Sequence, residues 1–90
     1  MKLIVLNGEQ IQSKDDFHTH FINQCPPSEY YGRNLDALWD LLTTDLAGPI
    51  RIEWKNHQIS QKYLGDFYKQ VVDIFFEASA QRNDLEVVYL

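Results

Sequence analysis

Between its helix- and strand-breaking residues the chain alternates two hydrophobic periods. Leu3-Ile4-Val5-Leu6 is a short unbroken apolar run, which predicts a strand covered on both faces. Ser13 followed by Asp15 and Asp16 predicts a helix start, because a serine oxygen caps free N–H groups and acids suit the positive end of a helix dipole. Phe17 and Phe21 then fall on one face. Asn34 caps a second helix, along which Leu35, Leu38, Leu41 and Leu42 recur at helical spacing. Ile50, Ile52 and Trp54 alternate with Arg51 and Glu53, the period of a strand. A brief helix over 58–64 follows, and Phe67, Val71, Ile74, Phe75 and Ala78 form the stripe of a longer one. Asn83-Asp84 then turns into a last apolar run at 85–90. Gly8, the group Pro26, Pro27 and Gly32, the pair Gly48-Pro49, and Gly65 all fall at junctions, where backbone freedom or ring constraint ends an element.

The order strand, helix, helix, strand, helix, helix, strand predicts an α/β fold, a three-stranded parallel sheet with four helices on its crossovers. Ninety residues hold one hydrophobic core, so residues 1–90 read as a single compact domain. Thirteen acids against eight bases give a formal charge of −5, which disfavours nucleic acid and anionic membranes and favours a basic partner. Cys25 is the only cysteine, which excludes an internal disulfide and suits a reducing compartment. The N-terminal segment is too short for a signal peptide, and no apolar run approaches the roughly 20 residues of a membrane helix. A cytoplasmic protein is expected.

One stretch is not explained by folding, Tyr30-Tyr31-Gly32-Arg33-Asn34-Leu35-Asp36-Ala37-Leu38-Trp39-Asp40. On a helix starting after Asn34 the leucines mark the buried side. Asp36 and Asp40 then share the outer face, their Cβ atoms roughly 6 Å apart, where like charges repel. Trp39 lies between the two sides, half buried, and at least one of the tyrosines before the helix is expected to be exposed. An acidic pair beside exposed aromatic rings has the composition of an interface core, although a pair of helix aspartates is more often a plain solvated face. Catalytic chemistry is poorly supported. His18 and His20 are two apart, on different faces of a helix, and read as polar residues of a surface helix; with Cys25 they make a poor metal set. There is no phosphate loop and no nucleophile–base pairing. No catalytic residue, metal or cofactor is expected.

The same stretch, continued through Leu41-Leu42, resembles the signature segment of the barstar family. Ile4-Val5-Leu6-Asn7-Gly8-Glu9-Gln10-Ile11, Pro49-Ile50-Arg51-Ile52-Glu53-Trp54 and Phe75-Phe76-Glu77-Ala78 are also similar to that family, in order and with compatible spacing. The resemblance implies a barstar-like fold, three parallel strands with four helices, and an inhibitor of small basic guanyl-specific ribonucleases of the barnase type. It implies that Asp40 is the central phosphate mimic, bonded to the nuclease's arginines and catalytic histidine. Asp36 would meet a further arginine, with Trp39 packed beside it. Tyr30 would lie against the catalytic histidine, Gly32 and Asn34 would make close backbone and polar contacts, and Glu77 would complete the patch from the last helix. Glu77 lies outside its helix's apolar stripe, so it faces solvent and reads equally as an ordinary surface charge. Arg33 stands where the family often carries an acid, inside the patch. Thr44-Asp45 stands where an aromatic contact would be expected, and Gln81 is neutral where an acid would help. The cognate nuclease therefore differs in detail, and one variant is an immunity protein against a nuclease toxin domain. The other reading is a regulatory protein-binding module with a non-nuclease partner. Phe76 supports it, since it falls opposite the buried stripe and either packs under the short preceding helix or forms a second contact surface. The free protein is expected to be a monomer.

Overall fold

Capping side chains set the first two helices. Ser13 Oγ accepts the Asp16 N–H at 3.0 Å and Asn34 Oδ1 accepts the Ala37 N–H at 2.7 Å, each satisfying an amide that a helix start leaves unpaired. The structure, a computed structural model, describes residues 1–25 and 31–90. Its elements are β1 (Lys2–Asn7), α1 (Lys14–Ile22), α2 (Leu35–Asp40), β2 (Ile50–Lys55), α3 (His57–Leu64), α4 (Asp66–Gln81) and β3 (Leu85–Tyr89). A single 3-10 turn, Gly8–Gln10, follows β1, and α2 runs on into a π-helical turn, Leu41–Asp45. The α/β order of three strands and four helices is the one the sequence predicts.

The strands are parallel and lie in chain order, β1-β2-β3. Ile4 is level with Ile52 and Val87, and Leu6 with Trp54 and Tyr89, so these side chains share the face turned to the core. The opposite face carries Leu3, Arg51 and Glu86 in one row and Val5, Glu53 and Val88 in the next. This corrects the expectation for the first strand. Leu3 is 49% exposed and Val5 only partly buried, so β1 is covered on one side. Covering both faces of a parallel sheet needs a reversal of strand order, and a sheet built in chain order sends successive crossovers to one side. The unbroken apolar run does not report that difference.

Trp54 holds the core together. It is fully buried, with ring centroids 5.7 Å from Phe17 on α1 and 6.0 Å from Phe75 on α4. Its indole N–H donates to Ser60 Oγ at 3.2 Å, and Ser60 in turn donates to the Ile11 carbonyl at 3.1 Å, so the buried polar atoms are satisfied. Gly8 allows the chain to close here, since a Cβ would overlap the Asn56 backbone. The edge strand β1 is finished by a side chain: Gln24 Oε1 accepts the Val5 N–H at 2.8 Å, and Gln24 Nε2 donates to the Val5 carbonyl at 2.6 Å. Phe76 is 72% exposed, which removes the alternative that it packs under α3. Among the described residues no helix is long and apolar enough to cross a membrane.

Candidate functional site

The α2 helix turns its leucines inward. Leu38, Leu41 and Leu42 are buried, Leu35 and Trp39 pack partly buried against the core, and α2 leans on α4. Asp36 and Asp40 are left exposed on the outer side. Beside them lies a cleft of about 300 Å³ lined by Tyr31, Gly32, Asn34, Asp36, Ala37, Asp40, Leu41 and Asp45. Of the residues the sequence singles out, Gly32, Asn34, Asp36 and Asp40 are brought together there. Trp39 and Glu77 line neither this cleft nor its neighbour, Glu77 standing exposed on α4. Tyr30 lies outside the described residues.

Asp45, which the sequence marks only as standing where an aromatic contact is expected, joins Asp36 and Asp40 on the cleft. In a regular α-helix it would stand about 140° round the axis from Asp40, five residues earlier. The π turn changes this. The Leu46 N–H reaches back five residues to the Leu41 carbonyl at 2.9 Å, and the wider turn leaves Asp45 on the cleft. No residue in Leu41–Asp45 announces this in the sequence. Where the family resemblance leads one to expect an aromatic ring, a third carboxylate lines the cleft.

Arg33 does not intrude on these acids. It adopts φ 52°, which is rare for a residue with a Cβ, and its guanidinium turns back to α1. There Nη2 donates to Thr19 Oγ1 at 2.7 Å and to the Asp15 carbonyl at 3.1 Å, and pairs with the Asp15 carboxylate. Its charge is thus matched by Asp15, while among the described residues Asp36, Asp40, Asp45 and Glu77 have no ion-pair partner. Across the first turn of α2, a second cleft of about 390 Å³ is lined by Lys14, His18, Arg33, Asn34, Leu35, Asp36, Phe67 and Gln70. Lys14 Nζ stands 5.6 Å from the Phe67 ring centroid, within cation–π range.

His18 is not a surface residue. It is 3% exposed, and its Nδ1 lies 2.8 Å from the Tyr31 hydroxyl. Phe17, His18 and Phe21 of α1, continued by Cys25 just beyond it, form one wide buried stripe, a spacing that could have placed His18 inside. Burial, and then the Arg33 charge, hold its pKa below the ordinary value, against a smaller opposing pull from Asp15. Burial also pushes the Tyr31 phenol well above its usual range. At neutral pH the imidazole is therefore neutral and the tyrosine O–H donates to Nδ1. This bond draws Tyr31 inward, so it lines the cleft as a wall held from behind. Burial likewise raises the Cys25 thiol to about 11, leaving it a core residue with little thiolate. Among the described residues no three His, Cys, Asp or Glu side chains converge to hold a metal ion.

The arrangement can receive cations. Carboxylates without counter-ions, on a capped helix backed by buried leucines, accept charge-assisted hydrogen bonds from arginine, lysine or protonated histidine. Comparison with known proteins agrees with that chemistry. The family model described as barstar, the barnase inhibitor, matches residues 1–90. The chain is also 32% identical over 84 residues to YrdF of Bacillus subtilis (strain 168), a protein provisionally named a ribonuclease inhibitor, covering 93% of this chain and 92% of that one. Family and relative together support a ribonuclease-inhibitor-like role. A match from the first residue to the last, joined to a parallel sheet laid down in chain order, decides the descent: the chain belongs to the barstar family.

Proposed function

We propose that the protein inhibits a small basic ribonuclease of the barnase type by seating the acid face of α2 over the nuclease's active site. One observation carries this reading: the cleft lined by Asp36, Asp40 and Asp45, whose carboxylates have no counter-ion among the described residues. A ribonuclease must hold a phosphodiester, so its site is lined with cationic side chains. A carboxylate presented there replaces the phosphate and accepts the same hydrogen bonds. Asp40 is the central mimic, Asp36 meets a further arginine with Trp39 beside it, and Asn34 and Gly32 supply close polar contacts. Tyr30 lies against the catalytic histidine, and Glu77 widens the acidic field from α4. The inhibitor performs no chemistry and needs no metal or cofactor. It acts in the cytoplasm as a monomer, on a nuclease made for export or on a toxin domain delivered by a competing cell.

Two features lower the cost of binding. The Asn34 cap and the buried leucines hold α2 in shape before contact, so little ordering is left to the encounter. The uncompensated acids attract a basic nuclease from a distance; barnase and barstar are the type example of such charge-steered association, which weakens as salt rises.

The test is an RNA-cleavage assay with a barnase-type nuclease, titrated with the native protein and with Asp40→Ala. Native protein should abolish cleavage near one-to-one, and the variant should lose most of that power. Full cleavage at micromolar native protein would shift the reading to a different cognate nuclease or to a non-nuclease partner. A second reading, a regulatory module with a non-nuclease partner, draws on Phe76, exposed beside a groove that also includes Val72, Ser79 and Val87. Binding that survives Asp40→Ala but fails with Phe76→Ala would favour it.

A further inference from the structure

Arg82 stands just beyond α4, yet it reaches the end of the segment that carries the acids. Its Nη1 donates to the Leu42 carbonyl at 2.7 Å and to the Leu46 carbonyl at 2.8 Å. Its Nε and Nη2 form a fork with Asp84, at 2.7 and 2.9 Å. Four of the five N–H donors of a guanidinium are thus used, and the side chain is only 15% exposed. The two carbonyls belong to the stretch where a helix leaves acceptors unpaired, and a cation there also suits the dipole.

These contacts bracket the π turn. Leu46 is held by its N–H to Leu41 and by its C=O to Arg82, and Asp45 sits immediately before it. The Asp84 end is anchored as well, since its carbonyl accepts the Ile50 N–H at 2.7 Å. Gly48 leaves room for the pair: a Cβ there would overlap the Asp84 carboxylate and stand 2.6 Å from Arg82 Nη2. The hydrogen bond from Arg82 holds the Asp84 carboxyl below its ordinary range, so the pair stays charged at neutral pH.

We propose that Arg82 is a positioning residue for the acid cleft: by gripping the Leu42 and Leu46 carbonyls it fixes the π turn that keeps Asp45 beside Asp36 and Asp40, and so selects nucleases that offer a cation opposite Asp45. A lysine could match the charge but not the fork, because an ammonium cannot bond Asp84 in two places and reach two carbonyls at once. The selectivity part rests on the inhibitor reading; the positioning part rests on geometry alone.

The experiment therefore has two arms. In the first, amide hydrogen exchange is followed in the native protein, Arg82→Gln, Arg82→Lys and Gly48→Ala. The Leu46 amide should exchange about tenfold faster or more in Arg82→Gln, with the Ile52 amide of β2 unchanged within about twofold. Arg82→Lys should fall between, and Gly48→Ala should resemble a milder Arg82→Gln. Equal acceleration at Leu46 and Ile52, or none at Leu46, would overturn positioning in favour of a general role in stability. The second arm measures inhibition of a barnase-type nuclease. Arg82→Gln should weaken it about tenfold in the native background and less than about twofold on top of Asp45→Asn, since one residue acts through the other. A full additive loss would overturn the selectivity part. Absence of inhibition by the native protein would overturn both the inhibitor reading and this part, while the exchange arm still decides positioning.

Discussion

On the open face of the sheet, Arg51 bonds Glu53 at 2.9 Å and pairs with Glu86 on the neighbouring strand. On α2 and the π turn after it, Asp36, Asp40 and Asp45 face one cleft, and among the described residues none of them forms an ion pair. Both surfaces are exposed and charged, but only the first is complete in itself. A self-neutralised surface gains little from a partner, because any new ion pair must first break an old one. The acids on the cleft have no ion pair to give up. Under the inhibitor reading, unpaired charge on a backbone fixed by a cap and a buried face is what separates the binding surface from the solvated one.

The difference can be broken most severely at Asp40. Asp40→Ala should weaken inhibition by roughly a hundredfold or more, the cost of leaving a buried cationic cluster unanswered, measured as the inhibition constant against a barnase-type nuclease. Salt acts on the same charges without mutation. Raising ionic strength from about 0.05 to about 0.5 M should slow association by about tenfold and change dissociation much less, as stopped-flow fluorescence would report. Asn34→Ala tests the backbone beneath the acids. Losing the cap should cost about 1 kcal/mol in urea unfolding, with a several-fold loss of affinity because α2 is less well formed before contact.

Acid pH adds a charge to the cleft wall. His18 has a folded pKa below the unfolded value of 6.5, so the unfolded chain takes up the proton first. Its contribution to stability is complete above about pH 6.5 and is lost as pH falls from there through the lowered folded value. The urea midpoint should drop modestly between about pH 7 and 5.5, and His18→Gln should flatten that slope. The smallest effect is expected on the sheet. Arg51→Ala should leave inhibition unchanged and the unfolding midpoint nearly so, since exposed pairs contribute little. A marked loss of inhibition there would dissolve the contrast between the two surfaces.

Much of this was legible in the order of residues. Ser13 and Asn34 mark their helix starts, Trp54 alternates inward, and Asp36 with Asp40 falls opposite the leucines. What was hidden depends on geometry between distant or irregular parts. An apolar run like Leu3–Leu6 reads the same whether one face is covered or two, and strand order decides it. His18 reads as surface because it is polar, and the Tyr31 hydroxyl that satisfies it lies 13 residues further along the chain. Arg33 reads as a flaw in the patch until Asp15 and Thr19 are seen to hold it. Asp45 reads only as a departure from the family's aromatic contact, because nothing in Leu41–Asp45 marks the π turn that leaves a carboxylate on the cleft. The reach of Arg82 to Leu42 and Leu46 crosses 40 and 36 residues, and no local period carries it.

The amide of Gln24 bears on how such a protein survives at high concentration. An edge strand offers its free N–H and C=O groups to any extended chain that comes near, which is how sheets join end to end into aggregates. At Val5 both groups are already taken, by one side chain with the donor and acceptor spacing of a peptide. Pairing of a further strand at Val5 is therefore blocked at the backbone itself, without a proline on the strand. At Val5 the edge of the sheet thus offers no template to a neighbouring chain.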